Sequence, residues 1–212
     1  MNRKATISLF LLLSLGWVSC KDNETNAQAA GTGQPNDSIK TKSLIVVPDP
    51  QIDQSPMDMC YYPADYPKLK MTGETNAMPD MRLIYSRPQK KGRKIFGGLL
   101  KYGEPWRLGA NEATEIEFFK PVKIQTRPIA PGKYILYCIP EEKQWEIVLN
   151  SNLYSWGLHF DSTKDVQKFM IPVEPTRAPV EYFTMVFENR NDRVNLVMAW
   201  DSIKASLPIE IK

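Results

Sequence analysis

The chain of 212 residues has one histidine, His159, and three cysteines, Cys20, Cys60 and Cys138. A single imidazole excludes most multi-histidine metal sites and leaves a histidine-based triad only one candidate. Three cysteines give no disulfide framework. An excess of one charge is also missing, since 27 Lys+Arg stand against 24 Asp+Glu. Arg3 and Lys4 lie in an N-terminal stretch without acids, so from Cys20 onward the balance is 25 to 24, a net +1. Such a chain lacks the basic face that displaces counterions from phosphate, which excludes nucleic acid as a partner. No glycine-rich phosphate loop follows a strand and opens a helix, and no Gly-x-Ser-x-Gly elbow is present. No window longer than ten residues holds a period of 3.6. What is there is ordinary globular composition, 42% apolar and 24% charged, with length for one core.

The N-terminus carries the first positive signal. Arg3 and Lys4 precede an apolar run from Ile7 to Val18, broken by Ser8, Ser14 and Gly16. That run falls short of the ~20 residues a membrane-crossing helix needs and suits a signal-peptide core. Val18-Ser19-Cys20 resembles the lipobox of bacterial lipoproteins, with Trp17 where Leu is usual. The resemblance implies that Cys20 is lipidated with diacylglycerol and starts the mature chain. From Lys21 to Gln54 there is no aromatic residue, and Asn, Gln, Thr, Gly, Asp and Pro dominate. Too little apolar surface is available there to offset the entropy of ordering, so the segment is expected to be a tether. Its typical reach is on the order of 30 Å. Leu44-Ile45-Val46-Val47 is the one stretch able to dock as an edge segment, and Lys21-Asp22-Asn23-Glu24 resembles acidic surface-sorting signals of Gram-negative lipoproteins. The expected organisation is residues 1–19 signal peptide, 20–54 lipidated cysteine and tether, and 55–212 one all-β domain.

Past residue 55, short runs rich in β-branched and aromatic residues alternate with Pro, Gly, Asn and Asp clusters. Met81–Ser86, Ala113–Phe119, Lys133–Ile139, Gln144–Asn150, Val166–Val173, Val180–Glu188, Arg193–Trp200 and Ile203–Ile211 read as strands. In the sixth, Phe183, Met185 and Phe187 alternate with Tyr182, Thr184 and Val186. At most one short helix is expected, at Asp161–Val166 with Asp161 or Ser162 as cap. About nine or ten short strands predict an antiparallel sandwich or open barrel. Trp145, Trp200 and Cys138 read as core. Cys60 and Cys138 are able to bridge, but pack more readily as free thiols.

Several ordered motifs stand out: Tyr85-Ser-Arg-Pro88, Lys91-Gly-Arg93, Phe96-Gly97, Tyr102-Gly103, then Trp106-Arg107-Leu-Gly109-Ala-Asn111-Glu112-Ala-Thr114. With Ile139-Pro140, Trp145 and Trp156-Gly157 they resemble the domain of unknown function 2911 family of exported bacterial lipoproteins, over roughly Ser55 to Ile209. The resemblance implies an envelope lipoprotein with one β-rich domain and supplies no catalytic residues.

Candidate site residues therefore come from side-chain chemistry alone. Arg87, Arg93 and Arg107 each lie near an aromatic (Tyr85, Phe96, Trp106), and Asn111, Glu112 and Thr114 follow in one loop and strand start. A guanidinium beside an indole suits flat or carbohydrate-like ligands, with Asn and Glu bonding hydroxyls. Arg107 paired with Glu112 would equally serve as a structural clasp. Trp156, with Tyr154, offers an aromatic platform for a sugar ring. Glu112 and Glu115 are expected on opposite faces of a strand, which weakens a paired-carboxylate site and leaves Asp161 or Asp165 as partners for Glu112. Ligand-binding candidates are Arg87, Arg93, Trp106, Arg107, Asn111, Glu112, Thr114 and Trp156, with no metal or cofactor implied. The function expected is a binding or structural module, anchored through Cys20 in the outer membrane of a Gram-negative envelope and recognising a glycan or another envelope protein. The alternative is a hydrolase of glycans or esters using paired carboxylates.

Overall fold

The computed structural model describes residues 55–212 apart from 191 and 192. The signal peptide, Cys20, the tether, its Leu44–Val47 stretch and the Lys21–Glu24 signal all lie outside the described residues.

Alternation dictates the strands. In β2 (Met81–Ser86), Met81, Leu83 and Tyr85 are buried while Arg82 and Ile84 are half-buried on the other face. In β3 (Thr114–Phe118), Thr114, Ile116 and Phe118 are buried, with Glu115 and Glu117 between them. The remaining strands are β1 (Met57–Tyr62), β4 (Val122–Ile124), β5 (Arg127–Ile129), β6 (Gly132–Pro140), β7 (Gln144–Asn150), β8 (Asp165–Arg190) and β9 (Arg193–Ile211). They form one antiparallel sheet in the order β1-β2-β3-β6-β7-β8-β9-β4-β5. The fold is all-β, as the turn-punctuated runs predict.

The α-helix stands elsewhere than expected. Helix α1 is Tyr66–Thr72, with a proline in its first turn and Gly73 as a left-handed C-cap, and none of its residues is buried. At Asp161 there is only a 3-10 turn, Ser162–Lys164, in which the Asp161 side chain accepts from the Thr163 amide at 3.0 Å.

Two long strands bend the sheet. Residues 165–172 of β8 pair with β7, and from Val173 onward the same strand pairs with β9. Between Pro175 and Val180, and again between Val180 and Thr184, the register shifts through irregularities that add residues to β8 alone. The bent sheet brings β2 against the far half of β8. The Tyr85 hydroxyl accepts from the Met185 amide at 2.9 Å and donates to its carbonyl at 3.2 Å. Arg87 closes the same seam, donating to the Phe183 carbonyl, to Thr184 Oγ1 at 3.0 Å and to Asp58 at 3.2 Å. The core between the halves is largely aromatic: Trp106, Trp145, Phe183 and Trp200 meet there.

Both thiols are free, Cys138 fully buried and Cys60 partly so. Burial pushes the Cys60 thiol up to about 12, with Asp58 adding to it, and burial likewise lifts the Tyr85 phenol to about 12. Their ordinary values are 9.0 and 10.0. At alkaline pH the unfolded chain therefore releases these protons while the fold still holds them, so stability falls as pH rises from about 9 to about 12. Melting temperatures across that range are expected to decline, and to decline less in Tyr85→Phe.

Candidate functional site

Two long connectors build the site, residues 87–113 between β2 and β3, which feed Ile95, Phe96, Trp106 and Leu108 into the core, and residues 151–164 between β7 and β8. The first is pinned at Trp106, whose amide donates to the Cys138 carbonyl at 2.7 Å while its own carbonyl accepts from the Cys138 amide at 2.8 Å. The indole N–H donates to the Gly109 carbonyl at 3.1 Å, and the ring enters the core. The chain then turns through Leu108 (φ 51°) and Asn111 (φ 61°) before β3 begins at Thr114, whose buried hydroxyl donates to the Leu108 carbonyl at 2.7 Å.

The second connector is anchored at its far end. Phe160 stacks on Tyr137 with centroids 4.2 Å apart, and the buried Asn150 donates to the Asp161 carbonyl and to Asp165. Tyr137 also donates to Asp165, and burial together with this carboxylate holds its phenol well above the usual range. At the near end the two connectors interlock. Arg107 donates to the Asn111 carbonyl at 2.6 Å and to the Trp156 carbonyl at 3.3 Å. Gly157 (φ +76°) lies so close that a Cβ there would sit 2.9 Å from Arg107 Cβ and 3.1 Å from Ala113.

The interlock leaves a cleft of about 210 Å³ lined by Glu112, Ala113, Glu115, Tyr154, Ser155 and Trp156. That is below the roughly 300–1,000 Å³ of sites for drug-sized ligands and suits a single ring or side chain. Tyr154 is 84% exposed and Trp156 56%, large aromatic surfaces held out in water. Ser155 Oγ is buried with no hydrogen-bond partner among the described residues, a state that costs roughly 1–3 kcal/mol.

Residues 67–209 match the model of a family described as a protein of unknown function (DUF2911). The chain belongs to this family. No curated protein and no solved structure matches it. The segment matching DUF2911 runs from inside α1 to near the end of β9, so both connectors and the whole cleft lie within it.

The expected site residues separate into four places. Arg107, Asn111, Glu112 and Trp156 meet at the interlock and cleft, with Thr114 buried just behind. Trp106 is core, only 6% exposed. Arg87 belongs to the β2–β8 seam, its guanidinium 6.0 Å from the Tyr182 ring, and the exposed Arg93 folds back onto the carbonyls of Lys90 and Gln89.

Three sequence expectations need correcting. Glu112 and Glu115 line one cleft, because Glu112 precedes β3 in the turn set by Asn111 and the strand alternation does not reach it. Glu112 is exposed, and the acceptors that hold Arg107 in place are backbone carbonyls rather than that carboxylate. Asp161 and Asp165 are committed to the 3-10 turn and to Tyr137, Asn150 and Lys168, and neither lines the cleft. His159 is exposed. Ser155 gave no sequence signal, since nothing local marks a serine whose hydroxyl is orphaned by packing.

Proposed function

We propose that this protein is a lipid-anchored binding module of the Gram-negative envelope whose cleft takes a glycan. One observation carries the reading: two exposed aromatics, Tyr154 and Trp156, line a ring-sized cleft together with two carboxylates, Glu112 and Glu115. The apolar face of a pyranose stacks on an indole or phenol ring, and its hydroxyls donate to carboxylates. The interlock of Arg107, Gly157 and Ala113 fixes the aromatic connector, so little ordering entropy opposes binding. The Cys20 lipobox supports the anchor, through which the module would meet glycans or another envelope protein at the outer membrane.

Trp156→Ala is expected to weaken glycan binding by at least about tenfold with an unchanged melting temperature, because the side chain is exposed. Calorimetric titration with envelope oligosaccharides checks it, and undiminished binding would remove the cleft from the reading. Cys20→Ala should move the protein from the detergent phase to the aqueous phase on partitioning; a variant that still enters the detergent phase rules out the lipid anchor.

A hydrolytic reading draws on the same two carboxylates sharing one cleft. It requires product release from a glycan or ester that Glu112→Gln and Glu115→Gln each abolish.

A further inference from the structure

We infer that the cleft selects a positively charged sugar, a hexosamine unit whose amine is free rather than acetylated. The inference rests on the glycan reading above and names the sugar that reading leaves open.

Charge on the outer face of the sheet points to it. On β3, Glu117 and Glu115 share that face. Glu117 stands opposite Arg82 of β2 in the register and is paired with it at 2.5 Å. Glu115, two residues earlier, has Ile84 and Ile135 as its cross-strand neighbours. It is half-buried, and neither it nor Glu112 has an ion pair among the described residues. Arg107, the cation nearest in sequence, spends its guanidinium on the Asn111 and Trp156 carbonyls.

The cleft lining therefore carries two negative charges and no positive one. A partly desolvated carboxylate favours a cation arriving from outside over a neutral hydroxyl. The other lining groups agree. Indole and phenol faces attract an ammonium through the ring quadrupole as well as stacking on the sugar's apolar face. An acetylated amine is neutral and bulkier, and would lose the charge contact in a cleft of this size.

The test compares two oligomers of equal length, one of glucosamine and one of N-acetylglucosamine, titrated into the full-length protein in detergent. The glucosamine oligomer is expected to bind about tenfold more tightly at low salt, with the preference shrinking as salt screens the contact. Glu115→Gln is expected to erase the preference. Should that variant fail to fold, Glu112→Gln, at an exposed position, must reduce the preference in its place. Equal binding of the two oligomers overturns the charge inference and leaves the glycan reading standing. A preference that survives both substitutions also overturns it. No binding of either oligomer overturns the inference and the glycan reading together.

Discussion

Trp106→Ala should lower the free energy of unfolding by about 3–5 kcal/mol, seen as a fall in the urea midpoint with little change in slope. The indole sits where the two halves of the bent sheet meet. Its ring stacks on Trp200 at 5.8 Å and makes edge contacts with Phe183 at 4.8 Å, Trp145 at 6.0 Å and Phe96 at 6.2 Å. Alanine removes those contacts at once and strips the Gly109 carbonyl of its donor. Close packing on all sides limits collapse into the void, which places the cost at the upper end of core truncations. Trp106→Phe retains most of the volume and should cost markedly less. A loss under about 1 kcal/mol for the alanine variant would mean that the aromatic cluster is not organised around this ring.

Gly157→Val is expected to destabilise by about 2–4 kcal/mol and to abolish glycan binding. Two costs combine here. A left-handed backbone at φ +76° disfavours any side chain by about 1–2 kcal/mol, more for a β-branched one. The new Cβ would also approach Arg107 Cβ to 2.9 Å and Ala113 to 3.1 Å, and overpacking of this kind costs about 1–3 kcal/mol. Relief requires the connector carrying Tyr154 and Trp156 to lift off Arg107, which breaks the bond to the Trp156 carbonyl and opens the cleft. Denaturant unfolding measures the first effect and titration with oligosaccharide the second. A variant that loses stability yet keeps full affinity would show that the aromatic wall needs no interlock.

Where alternation met a one-sided core, the strands were legible in the sequence. Met81–Ser86 and Gln144–Asn150 coincide with β2 and β7, and Phe183, Met185 and Phe187 do point inward. Punctuation misled where the chain ran on through it. Pro175, Pro179 and the Asp201-Ser202 pair divide β8 and β9 on paper, yet each is one strand, because irregular pairing absorbs the prolines and bends the sheet. Strands β4 and β5 are three residues each, too short to show a period, and β1 alternates little. Helix α1 buries no residue, so no apolar stripe announces it.

The site was partly legible. Arg107, Asn111 and Glu112 are neighbours in sequence and remain so in space, and Tyr154 with Trp156 reads as a platform in either view. Glu115 was concealed by a rule applied one turn too early. That Arg107 reaches the Trp156 carbonyl, 49 positions away, depends on two connectors meeting and leaves no local trace.

The shared strands also set an order of events during folding. The hairpin of β4 and β5 joins the sheet through pairing of Val122–Ile124 with Ile209–Ile211. At synthesis rates of roughly 5–20 residues per second, those partners emerge on the order of ten seconds after β4 itself. Until then β4 presents an unsatisfied edge, and the half of the core under Val122, Ile124 and Ile129 has no floor. Neighbouring pairs such as β6–β7 can close early, whereas this corner waits for the last strand in the chain and a long loop closure. A chain arrested before residue 209 would hold its cleft-bearing half and still expose a sticky seam at the opposite margin, a natural point for a holding chaperone to engage.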